Sequence, residues 1–260
     1  MVIEEILLYP TVKQVIFQIT FPNLFYLENR IGNIQEKIMG EFPKSNLVYR
    51  RNLFSVNFGM DKNSNEEVLQ KELGNSPLDK IWQFESKNKT KLNITTSTLD
   101  MSSISHKTYQ LGEDDNKKFR YEIERVVGTF IDVVNLPIIN RIGLRYIDHC
   151  PLRKKNYKTL REWYNSKFPA DFEIAEAESM AFQTKVKRGK YYLGYAEAIA
   201  QINGKDTLIL DLDGSAENIN ASEYLEVSDD LHTLISEEYA KTIKGNTGPL
   251  YQFMKTGSEE

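Results

Sequence analysis

Two arginines near the middle of this chain are the side chains best suited to bind a ligand. Arg141 and Arg145 lie four residues apart in an apolar, strand-like segment, so they share one strand face with Gly143 between them. Two neighbouring guanidinium groups can hold a phosphate or a carboxylate, and a glycine lets a ligand approach the backbone closely. Together with Tyr146 they form a candidate anion-binding site. The alternative is a structural ladder of ion pairs with one of three glutamates: Glu122, Glu124 or Glu197.

Two aspartates suggest a different chemistry. Asp211 and Asp213 lie in a segment that resembles the nucleophile motif of haloacid-dehalogenase-type phosphatases, Thr207 to Gly214. That chemistry needs an aspartyl nucleophile at a strand end, a second aspartate as acid or base, and magnesium. Ser215-Ala216 replaces the usual threonine and apolar residue, and the segment belongs to a predicted antiparallel meander. A metal-dependent hydrolase that uses these aspartates is therefore the third of three functional hypotheses.

The chain has one cysteine and three histidines, which restricts its redox and metal chemistry. One cysteine excludes an internal disulfide and a cysteine-based zinc cluster. Asp148, His149 and Cys150 are consecutive, but neighbours on a strand point to opposite faces, so His149 is badly placed to activate Cys150. We therefore expect no catalytic residue, no metal and no cofactor, which favours a binding protein over an enzyme.

The net charge of −4 hides an uneven distribution. Residues 171–260 hold 8 basic and 17 acidic side chains, a net of −9, so residues 1–170 carry +5. Basic groups beside aromatic rings are typical of single-stranded nucleic-acid binders, which makes recognition of a nucleotide or RNA the second hypothesis. The overall acidity disfavours strong non-specific DNA binding. The aromatic residues that would stack beside the arginines are Trp82, Phe84, Tyr109 and Tyr146.

Hydrophobic periodicity predicts the elements that position these residues. Apolar residues two apart predict eight main strands: 15–21, 47–58, 81–86, 91–98, 138–148, 172–184, 191–202 and 206–213. Apolar residues three and four apart predict three main helices, with short helices at two further places: 24–38, 119–134 and 222–244, then 66–73 and 160–167.

This element order predicts an α+β fold, with a largely antiparallel sheet and about three main helices packed on one face. The chain is then either one continuous domain or two similar lobes. In the second case residues 1–150 form an α+β lobe, and residues 151–260 form an antiparallel meander followed by a helix.

The Asn203-Gly204 pair predicts a two-residue hairpin turn, and Arg188-Gly189 predicts the turn before it. With this register, one sheet face carries mainly small side chains, flanked by two aspartates: Ala177, Ser179, Ala181, Gly194, Ala196, Ala198 and Ala200, with Asp211 and Asp213. A helix of the same chain, a second subunit or a ligand can approach such a face closely. Glu178 and Glu197 fall on the opposite, apolar face, where each needs the sheet edge or one of the two arginines as a partner.

From Trp82 to Asp148 the pattern resembles a sporadically distributed family of uncharacterised prokaryotic proteins of about this length. The residues that carry the resemblance are Trp82-x-Phe84-x-Ser86, Leu92-x-Ile94-x-Thr96 and the mid-chain strand Arg141-x-Gly143-x-Arg145-Tyr146. Phe42-Pro43 and the acidic strand with its following helix, Asp211-x-Asp213 and 232–244, match the two ends of the family pattern. The family's patchy distribution is similar to that of toxin–antitoxin and antiviral defence systems, which is an association and not a mechanism.

These observations lead us to expect a non-enzymatic binding or adaptor protein, acting with a partner protein or as a homodimer in an antiviral defence or toxin–antitoxin system. The small-residue face and the acidic last helix would be its contact surfaces, with Trp82, Asp211 and Asp213 as interface or groove candidates. No apolar run approaches the ~18–20 residues of a membrane span, and residues 1–20 show no secretory signal. We therefore expect a cytoplasmic protein that does not enter a membrane.

Overall fold

The computed structural model describes residues 5–51, 78–169, 174–177 and 179–257. These residues contain a nine-stranded, fully antiparallel sheet and five α-helices, which confirms the α+β class with an antiparallel sheet. The strands are β1 Val12–Thr20, β2 Lys44–Arg51, β3 Leu78–Glu85, β4 Lys91–Ile94, β5 Thr98–Ser103, β6 Ile138–Pro151, β7 Met180–Arg188, β8 Tyr191–Ile202 and β9 Lys205–Asn220. The helices are α1 Ile31–Ile38, α2 Phe119–Val134, α3 Tyr157–Trp163, α4 Tyr224–Thr242 and α5 Pro249–Thr256.

The sheet has the strand order β2-β3-β4-β5-β1-β6-β9-β8-β7. β1 is followed by α1 and by a meander whose last strand, β5, returns to pair with β1. β6 is likewise followed by α3 and by a meander whose last strand, β9, returns to pair with β6. The antiparallel pairing of β1 with β6 joins these two parts into one continuous sheet.

The register of the last two strands confirms the predicted Asn-Gly turn. Asn203 and Gly204 have φ angles of 52° and 76°, which a two-residue hairpin turn of the I′ type requires. Ala196 lies opposite Asp211, as the turn predicts. The preceding turn is different from the prediction, because Gly189-Lys190 and not Arg188-Gly189 joins β7 to β8. This moves the pairing by two residues and leaves the side chains of β7 and β8 on their predicted faces. The strand predicted at 172–184 begins only at Met180, so Ala177 and Ser179 lie outside it, and Glu178 lies outside the described residues.

Several element boundaries also differ from the sequence prediction. β9 continues to Asn220, seven residues beyond the predicted end, because it pairs with β6 along its length. α1 begins only at Ile31, and α3 lies at Tyr157–Trp163 instead of 160–167, because Asn156 caps it through the Thr159 N–H. Helix α5 was not predicted, although Pro249 at its first position is a typical start signal. The predicted helix at 66–73 and the end of the strand at 47–58 lie outside the described residues.

Side chains alternate along the strands between a buried side and a second side of the sheet. On the buried side, Val15, Phe17 and Ile19 of β1 are at most 1% exposed and belong to a large hydrophobic cluster that also contains residues of α2 and α4. A smaller cluster joins the far ends of β6, β8 and β9 to α3 and α5. Neither cluster of described residues includes the isoleucines of the second side: Ile16, Ile147 and Ile209.

None of the helices in the described ranges is long and apolar enough to cross a membrane.

Gly214 and Gly194 lie on opposite sides of the sheet, so substitutions at these two glycines test which side is packed against the helices. A Cβ atom at Gly214 would lie 3.3 Å from Ile235 Cδ1 and 3.4 Å from Leu231 Cβ, both on α4. We expect Gly214→Val to lower the free energy of unfolding by about 1–3 kcal/mol, because the larger side chain pushes α4 away from β9. The measurement is urea unfolding followed by circular dichroism.

Gly194 on β8 is the matched control, because a Cβ there would meet only Asp213, at an ordinary 3.5 Å. Gly194→Val should change the stability by no more than about 0.5 kcal/mol. An equally large loss in both variants would contradict the assignment of the two sides.

Candidate functional site

The second side of the sheet, which we call the open face, brings together the predicted site residues of three neighbouring strands. β6 contributes the two arginines, β9 the two aspartates and β8 the small residues. In the sheet register Arg145 lies opposite Asp213, Asp213 opposite Gly194, and Asp211 opposite Ala196. The long-range pairing of β6 with β9 therefore places the basic and the acidic pair side by side, although about 70 residues separate them in the chain.

Each arginine is bound to one aspartate. Arg145 donates from Nε to Asp211 Oδ1 at 2.7 Å and from Nη2 to the other carboxylate oxygen, which makes a bidentate pair. Arg141 donates from Nη2 to Asp213 Oδ2 at 3.2 Å. The Arg141 guanidinium lies over Gly143, where a Cβ atom would be 2.6 Å from Nη1, so a larger residue at 143 would displace the guanidinium from its present position.

These pairs cancel the charge of the candidate anion site. The hydrogen bonds that Arg145 donates to Asp211 raise the pKa of Arg145, and burial raises the pKa of Asp213 against the opposing effect of the two arginines. Between 22% and 45% of each side chain is exposed, so the four groups form a half-exposed ladder of two ion pairs. An incoming phosphate would have to displace an aspartate from an arginine and would meet the remaining negative charge.

The ladder therefore exists, but with partners other than the three glutamates that the sequence suggested. Glu124 pairs with Arg120, at 3.3 Å, and Glu122 is buried, where loss of solvent raises its pKa to about 7. Glu197, 1% exposed, accepts hydrogen bonds from Ser166 Oγ, the Lys167 N–H and the Tyr195 hydroxyl at 3.0, 2.5 and 3.1 Å. The expectation that Glu197 meets an arginine or the sheet edge is wrong, because the segment after α3 supplies its partners.

The candidate aromatic residues do not lie beside the arginines. Trp82 is 9% exposed within the hydrophobic core, and Tyr146 points to the buried side of β6, away from Arg141 and Arg145. Tyr109 donates a hydrogen bond to Asp229 of α4 at 2.9 Å. An aromatic ring that does lie on the open face is Tyr192, with the ammonium groups of Lys185 and Lys187 4.8 and 6.0 Å from its centre.

The acidic residues of α4 are partly engaged within the chain. Asp229 accepts two hydrogen bonds from Arg120, at 2.8 and 2.9 Å, and Asp230 accepts one from Tyr191. The predicted contact surface on this helix is therefore already used in part to attach α4 to α2 and β8.

The consecutive residues Asp148, His149 and Cys150 divide between the two sides, as the alternation predicts. Cys150 is fully buried, and loss of solvent raises its pKa well above the ordinary value. Asp148 is 2% exposed and accepts a 2.7 Å hydrogen bond from Thr11, whose hydroxyl also lies 2.6 Å from that of Tyr239. Burial raises the pKa of Asp148 to about 6, and Asp211 on the other side of the sheet adds to the rise.

The geometry also bears on the chemistry of the aspartate pair. Asp211 lies in the middle of β9, between two antiparallel neighbours, whereas the phosphatase motif places its nucleophile at a strand end. Among the described residues, no group of three or more histidine, cysteine, aspartate or glutamate side chains could hold a metal ion.

Comparison with known proteins adds no assignment: no protein-family model matches this chain, and no curated protein matches it either.

The strength of the ladder can be measured with a double-mutant cycle on its better pair. We expect Arg145→Ala and Asp211→Ala to show a coupling free energy of about 0.5–1 kcal/mol, because the pair is bidentate but partly exposed to solvent. Urea unfolding of the two single variants and the double variant gives this value. A coupling near zero would show that Arg145 is free in solution and available for an anion.

The buried Asp148 carboxyl is expected to destabilise the folded protein, in contrast to the Arg145–Asp211 pair. Because its pKa rises from 3.8 to about 6 on folding, ionisation of the carboxyl weakens the folded state as the pH increases through 6. Asp148→Asn should therefore stabilise the protein at neutral pH. Its advantage should be about 2 kcal/mol larger at pH 7.5 than at pH 4.5. Urea unfolding of both proteins at the two pH values checks this, and a difference that does not change with pH would contradict the buried, ionisable state of Asp148.

Proposed function

We propose that the protein is a non-enzymatic binding or adaptor protein that docks a second protein on the open face of its sheet. The observation that supports this most directly is the surface beside the ion-pair ladder. There, small or β-branched side chains are only partly buried by the described residues: Ile147, Gly194, Ala196, Ala198 and Ile209. A stacked sheet or helix can approach such a surface closely, because few side chains project from it.

The charges of the open face favour a protein over a nucleic acid as the occupant. A phosphate backbone is held by unpaired positive charge, whereas the two central arginines are each neutralised by an aspartate. A partner protein could place apolar side chains on the apolar patch. Its charged groups could pair with the exposed parts of the arginines and aspartates in the ladder. This mixture of apolar contact with a charged rim is the usual composition of protein–protein interfaces.

The cellular system to which the partner would belong is suggested by the sequence and not by the geometry of the open face. The resemblance to the sporadically distributed prokaryotic family supports a cytoplasmic partner from an antiviral defence or toxin–antitoxin locus. An RNA or nucleotide is the second candidate occupant, and the two lysines around Tyr192 on the same face favour it. That cluster lies toward the β7 edge of the sheet, and Tyr192 is aligned through Ser215 of β9 with Gly143, which lies between the two arginines.

Site-specific photo-crosslinking in the native host tests the proposal. A photoreactive amino acid at Ala198 should capture one protein that also co-purifies with the untreated chain. Ala196→Arg should abolish that co-purification, because a long charged side chain replaces a methyl group at the centre of the patch. Gln252→Arg on α5 is the matched control, since it adds the same charge at an exposed position among the helices and should leave the partner bound.

Three other results would overturn the proposal, and two of them identify a different occupant of the open face. A crosslink from position 198 to RNA would favour the nucleic-acid hypothesis. A crosslink to the same chain would show that a second copy, or another segment of the protein itself, covers the open face. Retention of the partner by Ala196→Arg, with the fold intact by circular dichroism, would place the interface elsewhere.

A further inference from the structure

A cavity of about 390 Å³ lies on the helix side of the sheet, opposite the open face. It is open to solvent on one side and is lined by the chain up to the start of β1, the loop at 107–111, strands β6 and β9 and helix α4, with one side chain from α5. Its volume falls within the range of small-molecule sites, and most of its wall is apolar. The residues with the clearest chemical roles are Thr11, Lys107, Tyr109, Tyr146, Asp148 and His232.

The floor of the cavity holds a carboxylate that forms no salt bridge with the described residues. Asp148 receives the Thr11 hydrogen bond and makes no salt bridge to any described residue. Lys107 also lines the cavity, and its charge counteracts part of the rise that burial causes in the pKa of Asp148. Its Nζ makes no salt bridge with the carboxylate and donates instead to the carbonyl oxygens of Val12 and Ile104 at 2.8 and 3.0 Å. Removing an ionised carboxylate from water is costly unless a positive group or several donors replace the water. This site therefore favours a positively charged hydrogen-bond donor.

A second buried group points to a ligand at the same place. Tyr146, two residues before Asp148 on the same side of β6, is 9% exposed and lines the cavity. Its hydroxyl has no hydrogen-bond partner among the described residues. Most buried hydroxyl groups are hydrogen-bonded, so an unpaired hydroxyl two residues from a carboxylate with one hydrogen bond and no salt bridge favours a polar ligand atom at this place.

The side wall suits a flat or apolar body. His232 of α4 stacks on Tyr109 with ring centres 4.2 Å apart, and its ring centre lies 6.0 Å from that of Tyr146. Burial lowers the pKa of His232 to about 4, so the ring is neutral at physiological pH and does not repel a cation. Aromatic faces attract cations, and the neighbouring wall is aliphatic: Leu212, Ile235 and Met254.

We infer that this cavity binds a small organic amine, with its protonated nitrogen between the Asp148 carboxylate and the Tyr146 hydroxyl and its apolar body along the Tyr109–His232 stack. An ammonium group offers three donors, enough for both oxygen atoms. Anionic ligands are disfavoured because Asp148 would repel them. The site is separate from the open face, since the two lie on opposite sides of the sheet.

Three indole compounds of nearly equal size test the charge requirement. Tryptamine carries a protonated amine, tryptophol a neutral hydroxyl and indole-3-acetate a carboxylate. In calorimetric titrations of the full chain, tryptamine should bind about ten- to a hundred-fold more tightly than tryptophol, the usual gain of a charge-assisted hydrogen bond. Indole-3-acetate should not bind measurably.

Two matched variants assign the effect to the cavity. Asp148→Asn keeps the shape of the side chain and removes its charge, so the preference for tryptamine over tryptophol should fall to about one. Asp132→Asn makes the same change at an exposed position of α2 outside the cavity wall and should leave the preference unaltered. Tyr146→Phe should weaken tryptamine binding several-fold.

The inference is overturned if millimolar tryptamine does not bind the unmodified protein. It is also overturned if the three compounds bind equally, or if Asp148→Asn, folded by circular dichroism, keeps the preference for the amine.

Discussion

The pairing of β6 with two antiparallel neighbours is the constraint on which the rest of the structure depends. β6 is hydrogen-bonded to β1 on one side and to β9 on the other, so its side chains must alternate strictly between the two sides of the sheet over most of its length. Arg141 and Arg145 therefore face one side, whereas Tyr146 and Asp148 face the other. One strand thus supplies the central residues of both candidate sites.

The two sites differ because charged groups are partly hydrated and paired on the open face, whereas the carboxylate on the other side of the sheet is buried. On the open face, the arginines are partly hydrated and pair with the neighbouring aspartates, so their charges cost little free energy of folding. The resulting pairs contribute modestly to stability. On the buried side, Asp148 has one hydrogen bond and no salt bridge, and burial outweighs the effect of the Lys107 charge, so ionisation of Asp148 weakens the fold. A residue that lowers stability at neutral pH is consistent with a binding role, because such costs often occur at functional sites.

Much of the fold was predictable, because it follows from local periodicity. The α+β class, the Asn-Gly hairpin and the small-residue face all depend on neighbouring residues or on a two-residue turn. The errors have long-range causes. The Lys167 N–H that satisfies Glu197 lies 30 residues away in sequence, and the true end of β9 depends on its pairing with β6, far from it in the chain. The cavity has no sequence signal, since its polar residues come from four separate segments.

By itself, the sequence determined which side chains share a strand face: the two arginines on one, Tyr146 and Asp148 on the other. It also determined that Asp211 lies across from Ala196, because side-chain alternation and turn geometry are local properties of the backbone. Only the tertiary structure decided what each charged group contacts. The partner of Arg145 is Asp211 because β9 returns to lie beside β6, and Asp148 forms no salt bridge with Lys107 because the lysine is bound to two backbone carbonyl groups. Such contacts depend on strand order and loop position, which the order of residues along the chain does not encode in any local pattern.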